Sequence, residues 1–245
     1  MEVHAHTHTA RKKWAHYFWE FLMLFLAVFC GFLAESYREY RVERHREKEY
    51  MRSLIQDLNS DISDMDVNLE FSKIVIEKLD SLIYYLNEKD PNENAYELYR
   101  LGSIAGRIVR VSFSERTSSQ LKNAGNMRLL RNSSLSDSIQ QYWTLIKIDE
   151  SIADRMENTQ SKASDLSMQL LNLKYYEPAD PASPFAWGIR KDAKLMNSDP
   201  KLIAQSANLI SVRLRLLYIY LFNINLTRET ALKLVDMIKK EYHLK

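Results

Sequence analysis

Cysteine occurs once, at Cys30, and glycine and proline only five times each in 245 residues. A single cysteine excludes an internal disulfide, and nothing outside its own apolar surroundings can do thiolate chemistry. The shortage of glycine and proline argues against a turn-rich β fold and for long helices. Histidine is scarce too. Its six positions are His4, His6, His8, His16, His45 and His243, so residues 91 to 240 contain neither His nor Cys. That removes the commonest general bases, thiol nucleophiles and zinc ligands from the bulk of the chain. Phosphate-loop, dinucleotide, zinc-protease, calcium-loop and nucleophile-elbow patterns are all missing. A formal net charge of +2 gives no overall pull toward nucleic acid. No catalytic residue, cofactor or metal site is expected, and the chain does not read as an enzyme.

What the chain does have is one long apolar run, Trp14 to Ala34, reading WAHYFWEFLMLFLAVFCGFLA. Its 21 residues make about 31 Å of helix, close to the ~30 Å hydrocarbon thickness of a bilayer. Ten of them are Leu, Phe or Val, worth roughly −3 to −6 kcal/mol for insertion. Phe21, Leu24, Phe25, Val28 and Phe32 carry much of that term. Trp14, Tyr17 and Trp19 gather at one end, as an aromatic belt does. Glu20 opposes insertion, but it lies toward the end of the run, where a charge costs less. An isolated carboxylate there reads as an interfacial glutamate or a bond to a partner helix; a proton or ion relay is the sharper alternative. Ala27 and Gly31 form a small-xxx-small pair that could seat a second helix. A cleaved leader fits less well, because Glu35-Ser36-Tyr37-Arg38 follows the run in place of a small-residue cleavage site.

The flanks set orientation. The tail of residues 1–13 is basic and His-containing, with Arg11, Lys12 and Lys13 against one acid, Glu2. On the other side Arg38, Arg41, Arg44, Arg46 and Lys48 are offset by interleaved glutamates. A bare Lys/Arg count favours that second flank inside, whereas local net charge favours the tail inside. A short basic tail before an anchor is the simpler insertion signal. It places the amino terminus in the cytoplasm and the soluble part in the periplasm. Alternating His4, His6 and His8 reads as a flexible polar tail ahead of a metal grip.

Residues 35–90 read as a stalk helix and coiled coil, with no Gly or Pro before the helix-breaking Asp90-Pro91-Asn92. Opposite charges three apart (Glu35–Arg38, Glu43–Arg46, Arg44–Glu47) support its exposed first part. A heptad then begins. Ile55, Ile62, Leu69, Ile76 and Ile83 occupy its a positions; Met51, Leu58, Met65, Ser72, Leu79 and Leu86 occupy d. Mostly Ile at a with Leu or Met at d favours parallel dimers, so Ile55, Leu58, Ile62, Met65, Leu69, Ile76, Leu79 and Ile83 form a candidate oligomer seam. The competing reading is a bundle helix, whose wider apolar face would include Leu54, Val67, Phe71, Ile74, Val75 and Leu82. Asp57, Asp61 and Asp64 share one flank; a solvated face is expected there ahead of a cation site.

Residues 91–245 read as a helical bundle with a Pro-rich loop at 174–200. A helix is expected over about 93–109, with Gly102 and Gly106 allowing close approach. Thr117, Ser118 and Ser119 are candidate caps of a short helix ending near Gly125. Asn132-Ser133-Ser134 opens a longer helix to about Leu173. Phe185 and Trp187 are expected to pin the loop. Asp199 caps a last helix with Pro200 at its first position. Leu214 to Leu226 is too short for a second span and reads as a buried core segment.

The fold class is therefore all-α: one amino-terminal transmembrane helix, continuing into a heptad-bearing stalk packed with a carboxy-terminal bundle. REKEYMRSLIQDLNSDI after the anchor, SSQLKNAGNMRLLRNSSLSDSIQQYW and TALKLVDMIKKEY add a resemblance. With the Leu121 to Gly125 turn, Leu129-Leu130 and Tyr142, they resemble an uncharacterised family of single-pass membrane proteins from Bacteroidota-type bacteria, a domain of unknown function. The resemblance implies a helical inner-membrane protein and transfers no activity or site residue. The function expected is that of a membrane-anchored structural or interaction module. Its partners are the lipid bilayer and a second copy or another membrane protein. The alternative is a sensor subunit that signals through the stalk.

Overall fold

The computed structural model describes residues 14–87, 90–123, 125–179 and 187–244. The tail with His4, His6 and His8, and Pro181, Pro184 and Phe185 of the loop, lie outside the described residues. Five α-helices occur among the described residues: α1 Trp14–Asn87, α2 Ala95–Ala105, α3 Arg116–Asn123, α4 Ser133–Leu170 and α5 Pro200–Tyr242. Two three-residue strands, β1 Tyr176–Pro178 and β2 Trp187–Ile189, pair antiparallel with Glu177 opposite Gly188. The chain is all-α.

Two compact units share this chain, one ending at Tyr50 and the other beginning at Met51. The heptad, grouped with the stalk on sequence grounds, belongs to the second unit. In the first unit, side chains from Trp14 to Leu33 are exposed apart from half-buried Leu22. Arg38 bonds both oxygens of Glu35 at 2.5 and 3.0 Å, and Arg44 reaches Glu47 at 2.9 Å, as the charge spacing predicts.

The second unit is built on the heptad. Its d residues Met51, Leu58, Met65, Ser72, Leu79 and Leu86 are all buried. So are Leu54, Asp61, Val75 and Leu82, which precede the a positions by one. Ile55, Ile62, Leu69, Ile76 and Ile83 are half-buried. The face turned to the core thus lies between the d row and its g neighbours, which is the wider stripe of a bundle helix. Ser72, the polar member of the d row, bonds the Asn68 carbonyl at 2.6 Å and so carries no orphan hydroxyl into the core.

Helices α4 and α5 pack along much of their length. Asn132 reaches Glu241 at 3.0 Å, Ser138 the Met237 sulfur at 3.8 Å, and Thr227 reaches Asp149 at 2.6 Å. Rising numbers on one helix meet falling numbers on the other, so the pair is antiparallel. The expected caps hold at both starts. Asn132 accepts from Leu135 N at 3.1 Å, and Asp199 accepts from Lys201 N at 3.1 Å with Pro200 in the first turn. Gly125, after α3, has φ +62°, a left-handed backbone in which a side chain would be strained.

Three expectations are corrected. Trp187 does not pin the 174–200 loop, since it is exposed at the ribbon's edge. Tyr99 of α2 does so: its hydroxyl accepts from Asn172 N at 2.7 Å and donates to the Lys194 carbonyl at 3.0 Å, and Tyr175 and Tyr176 pack against its ring. The segment from Leu214 to Leu226 is only half core. Leu216, Leu217, Tyr220 and Ile224 are buried, but Tyr218, Ile219, Phe222 and Leu226 are exposed. Finally, α3 is not capped by its own Thr117, Ser118 or Ser119. Its cap comes from α1, as follows.

Candidate functional site

The first candidate is the apolar end of α1. By length and composition two helices could cross a membrane: α1, whose apolar window is 0% buried, and α5, whose window is 39% buried. The core helix of a soluble protein, mostly buried, passes the same test, and so does a signal sequence near the amino terminus, where α1 lies. Aromatic side chains one turn apart stack along α1, Trp14 on Phe18 at 6.4 Å, Phe21 on Phe25 at 6.2 Å and Phe25 on Phe29 at 5.9 Å. Tyr17, Trp19, Glu20, Leu24, Val28 and Phe32 are exposed on the same rod. Around Gly31 nothing approaches within 4 Å of a built Cβ, so the small-xxx-small surface is open.

The second candidate is the acidic flank of the heptad, which is not the solvated face expected. Asp57 and Asp61 are buried and Asp64 is exposed. Asp57 Oδ2 accepts from Thr117 N at 2.9 Å and Oδ1 from Arg116 at 2.7 Å, so a side chain of α1 caps the first turn of α3. Thr117 lies inside the first turn of α3, past the cap position, and its hydroxyl shares a 2.8 Å hydrogen bond with Ser53. Asp61 accepts from Ser114 N and the Tyr142 hydroxyl, both at 2.7 Å. Burial raises the Asp61 pKa, partly offset by these donors. These carboxylates are occupied by the protein's own donors. Among the described residues no cluster of His, Cys, Asp or Glu could hold a metal ion.

Sequence reasoning also missed the burial of Asp149 and Arg213. Asp149 of α4 is 1% exposed and has a neighbour for one oxygen only, Thr227 Oγ1; its Oδ1 has no hydrogen-bond partner. Burial pushes its pKa up to about 6. Arg213 of α5 is 5% exposed, and burial lowers its pKa to about 10. The signal was present. Asp149 continues the spacing Ile139, Tyr142, Ile146 on the core row of α4, and Arg213 and Thr227 fall on the row Ile210, Leu217, Tyr220, Ile224 of α5.

A hollow of about 440 Å³ is a shallow surface basin lined by Lys122, Met127, Gln140, Trp143, Thr144 and Lys147. Lys122 Nζ sits 4.2 Å from the centroid of the Trp143 ring, a cation–π contact that fills one wall. The polar lining of the basin is Lys122, Lys147, Gln140 and Thr144. Comparison with protein-family models, with curated proteins and with solved structures finds no match.

Proposed function

We propose that this protein is a membrane-anchored helical interaction module. Residues 14–34 cross the bacterial inner membrane once, and the Met51–Lys245 unit is held on the periplasmic side. The observation that carries this reading is the wholly uncovered apolar window of α1. In water, uncovered apolar surface costs about 25 cal/mol per Å², so a rod of exposed Phe and Leu side chains needs lipid or protein around it. Trp14, Tyr17 and Trp19, gathered at one end, suit the headgroup level. The module carries no catalytic role in this reading, and it acts by holding partners at the membrane.

Self-association through the a row is part of the proposal. Ile55, Ile62, Leu69, Ile76 and Ile83 keep half-exposed apolar surface at heptad spacing. Anchoring confines copies to two dimensions, which raises their effective concentration. A sensor role is the second reading, favoured by one unbroken helix, Trp14–Asn87, that carries both the apolar window and the first core element.

The test uses the full chain in cells with a reporter at Lys245. A membrane fraction that resists alkaline carbonate, with periplasmic reporter activity, supports the anchor and its orientation. Release by carbonate overturns the anchor, and cytoplasmic reporter activity overturns the orientation alone. The sensor reading predicts that cysteine crosslinks placed along residues 38–48 shift a downstream output with the register of the crosslink; an output indifferent to register removes it.

A further inference from the structure

The core rows of α4 and α5 change character at one end of the second unit. On α4 the row runs through Tyr142 and Met156 to Gln160, Ala163 and Ser167; on α5 it runs through Ser206 and Ile210 to Arg213. Small residues on one side and a long cation on the other leave a cleft of about 80 Å³, walled also by Leu82 of α1, by Gly102 of α2 and by Gly106 just past its end. Exposed Ser164 stands at its mouth.

Arg213 lines this cleft with its charge uncompensated. No carboxylate among the described residues pairs with it, and burial is the sole cause of its lowered pKa. Among the described residues its one side-chain hydrogen bond goes to the Arg107 carbonyl, just past the end of α2, while Gln160 donates to the neighbouring Gly106 carbonyl. A helix end offers partial negative charge, so these bonds explain part of Arg213. They leave most of a five-donor guanidinium unused in a site where an unpaired cation is costly. A second observation stands beside it. An adjoining apolar hollow of about 30 Å³, sharing Leu82, Gly102, Ser167 and Ile210 as walls, holds the Ser206 hydroxyl, 3% exposed and without a hydrogen-bond partner.

We propose that this cleft binds a small monocarboxylate, with its carboxylate on Arg213 and a short aliphatic tail against Leu82 and Ile210. A single buried cation matches a single negative charge. The planar guanidinium matches a carboxylate in two parallel hydrogen bonds. The room suits a few heavy atoms, since two or three waters at ~30 Å³ each would fill the larger hollow. A dianion would bring a second charge that no group in the cleft balances.

The experiment measures thermal unfolding of the full chain in detergent micelles at pH 7.5, titrated with sodium butyrate at constant ionic strength. Butyramide, sodium phosphate and sodium chloride are run in parallel. Butyrate is expected to give a saturable rise of about 2–4 °C, with butyramide giving none because it lacks the charge. Arg213→Met, similar in length, is expected to abolish the rise. Should that variant not fold, Ser164→Leu narrows the mouth from an exposed position and is expected to weaken binding at least about tenfold. Equal shifts with butyrate and butyramide overturn the role of Arg213. A larger shift with phosphate overturns the monocarboxylate assignment. No saturable shift with any of the four, or a butyrate shift unchanged in both variants, overturns the site itself.

Discussion

Tyr142 donates its hydroxyl hydrogen to Asp61 Oδ2 at 2.7 Å, joining α4 to α1 through a bond buried on both sides. The other Asp61 oxygen takes the Ser114 amide, so one carboxylate ties the loop before α3 to the same helix pair. Removing the donor leaves a buried acceptor oxygen unsatisfied. Tyr142→Phe is therefore expected to cost about 1–3 kcal/mol by urea unfolding at pH 7.5. The Asp61 pKa is already raised by burial, and losing Tyr142 raises it further. A raised folded-state pKa favours folding most at low pH, where the acid is protonated. The deficit of Tyr142→Phe should accordingly shrink at pH 4. A deficit equal at both pH values would mean that packing, not the hydrogen bond, sets the cost.

Asp149 makes a sharper pH prediction. Its folded pKa of about 6 exceeds the ordinary 3.8, so the folded state holds the proton more tightly than the unfolded chain. The resulting stability is present in full below about pH 3.8 and is lost as pH rises through 6. Two pKa units correspond to an amount on the order of 3 kcal/mol. Asp149→Asn keeps an oxygen for the Thr227 hydroxyl and removes the titration. It should match the parent near pH 4, be more stable at pH 7.5, and show a shallower slope between. The slope does not vanish, because Asp61 contributes in the same sense. An Asn variant less stable than the parent at pH 7.5 would reject the buried-charge account.

Spacing alone reveals the helices, because apolar residues at steps of three and four need only backbone geometry to be read. Asn132 and Asp199 are equally local signals, since a cap bonds an amide two or three residues away. Asp57 is illegible by that route. It caps a helix about sixty residues later, and only the folded chain brings them together. Which heptad row faces the core is likewise a tertiary matter: a and d look alike in the sequence, and the bundle turned d and g inward. Asp149 and Arg213 were readable as polar residues at core register, but a single polar member in a long row resembles an exposed edge until the opposite helix is known.

The two rows of the α1 heptad give a test that separates folding from association. Leu58→Ala removes a side chain with no exposed surface, and about 2–5 kcal/mol of stability should go with it. Ile62→Ser and Ile76→Ser touch half-exposed positions and should each cost about 1 kcal/mol or less. If the a row is the seam between copies, the double Ile62→Ser, Ile76→Ser variant sediments as a monomer in micelles under conditions where the parent is a dimer. A dimer that survives both changes with an unchanged dissociation constant would take the seam away from this row.

The exposed ridge on α5 offers the rival seam and an independent outcome. Tyr218, Ile219, Phe222 and Leu226 lie within about two turns on one side of the helix, and Phe222 is 73% exposed. Substituting a side chain that contributes nothing to the core should leave unfolding within about 0.5 kcal/mol of the parent. Phe222→Ser is thus expected to be neutral in urea unfolding whatever the ridge does. Its effect on sedimentation is what discriminates. Association carried by the α1 row leaves the Phe222→Ser dimer intact. A monomer from Phe222→Ser alone, with the Ile62→Ser, Ile76→Ser variant still dimeric, moves the interface to α5 and leaves the membrane anchor untouched.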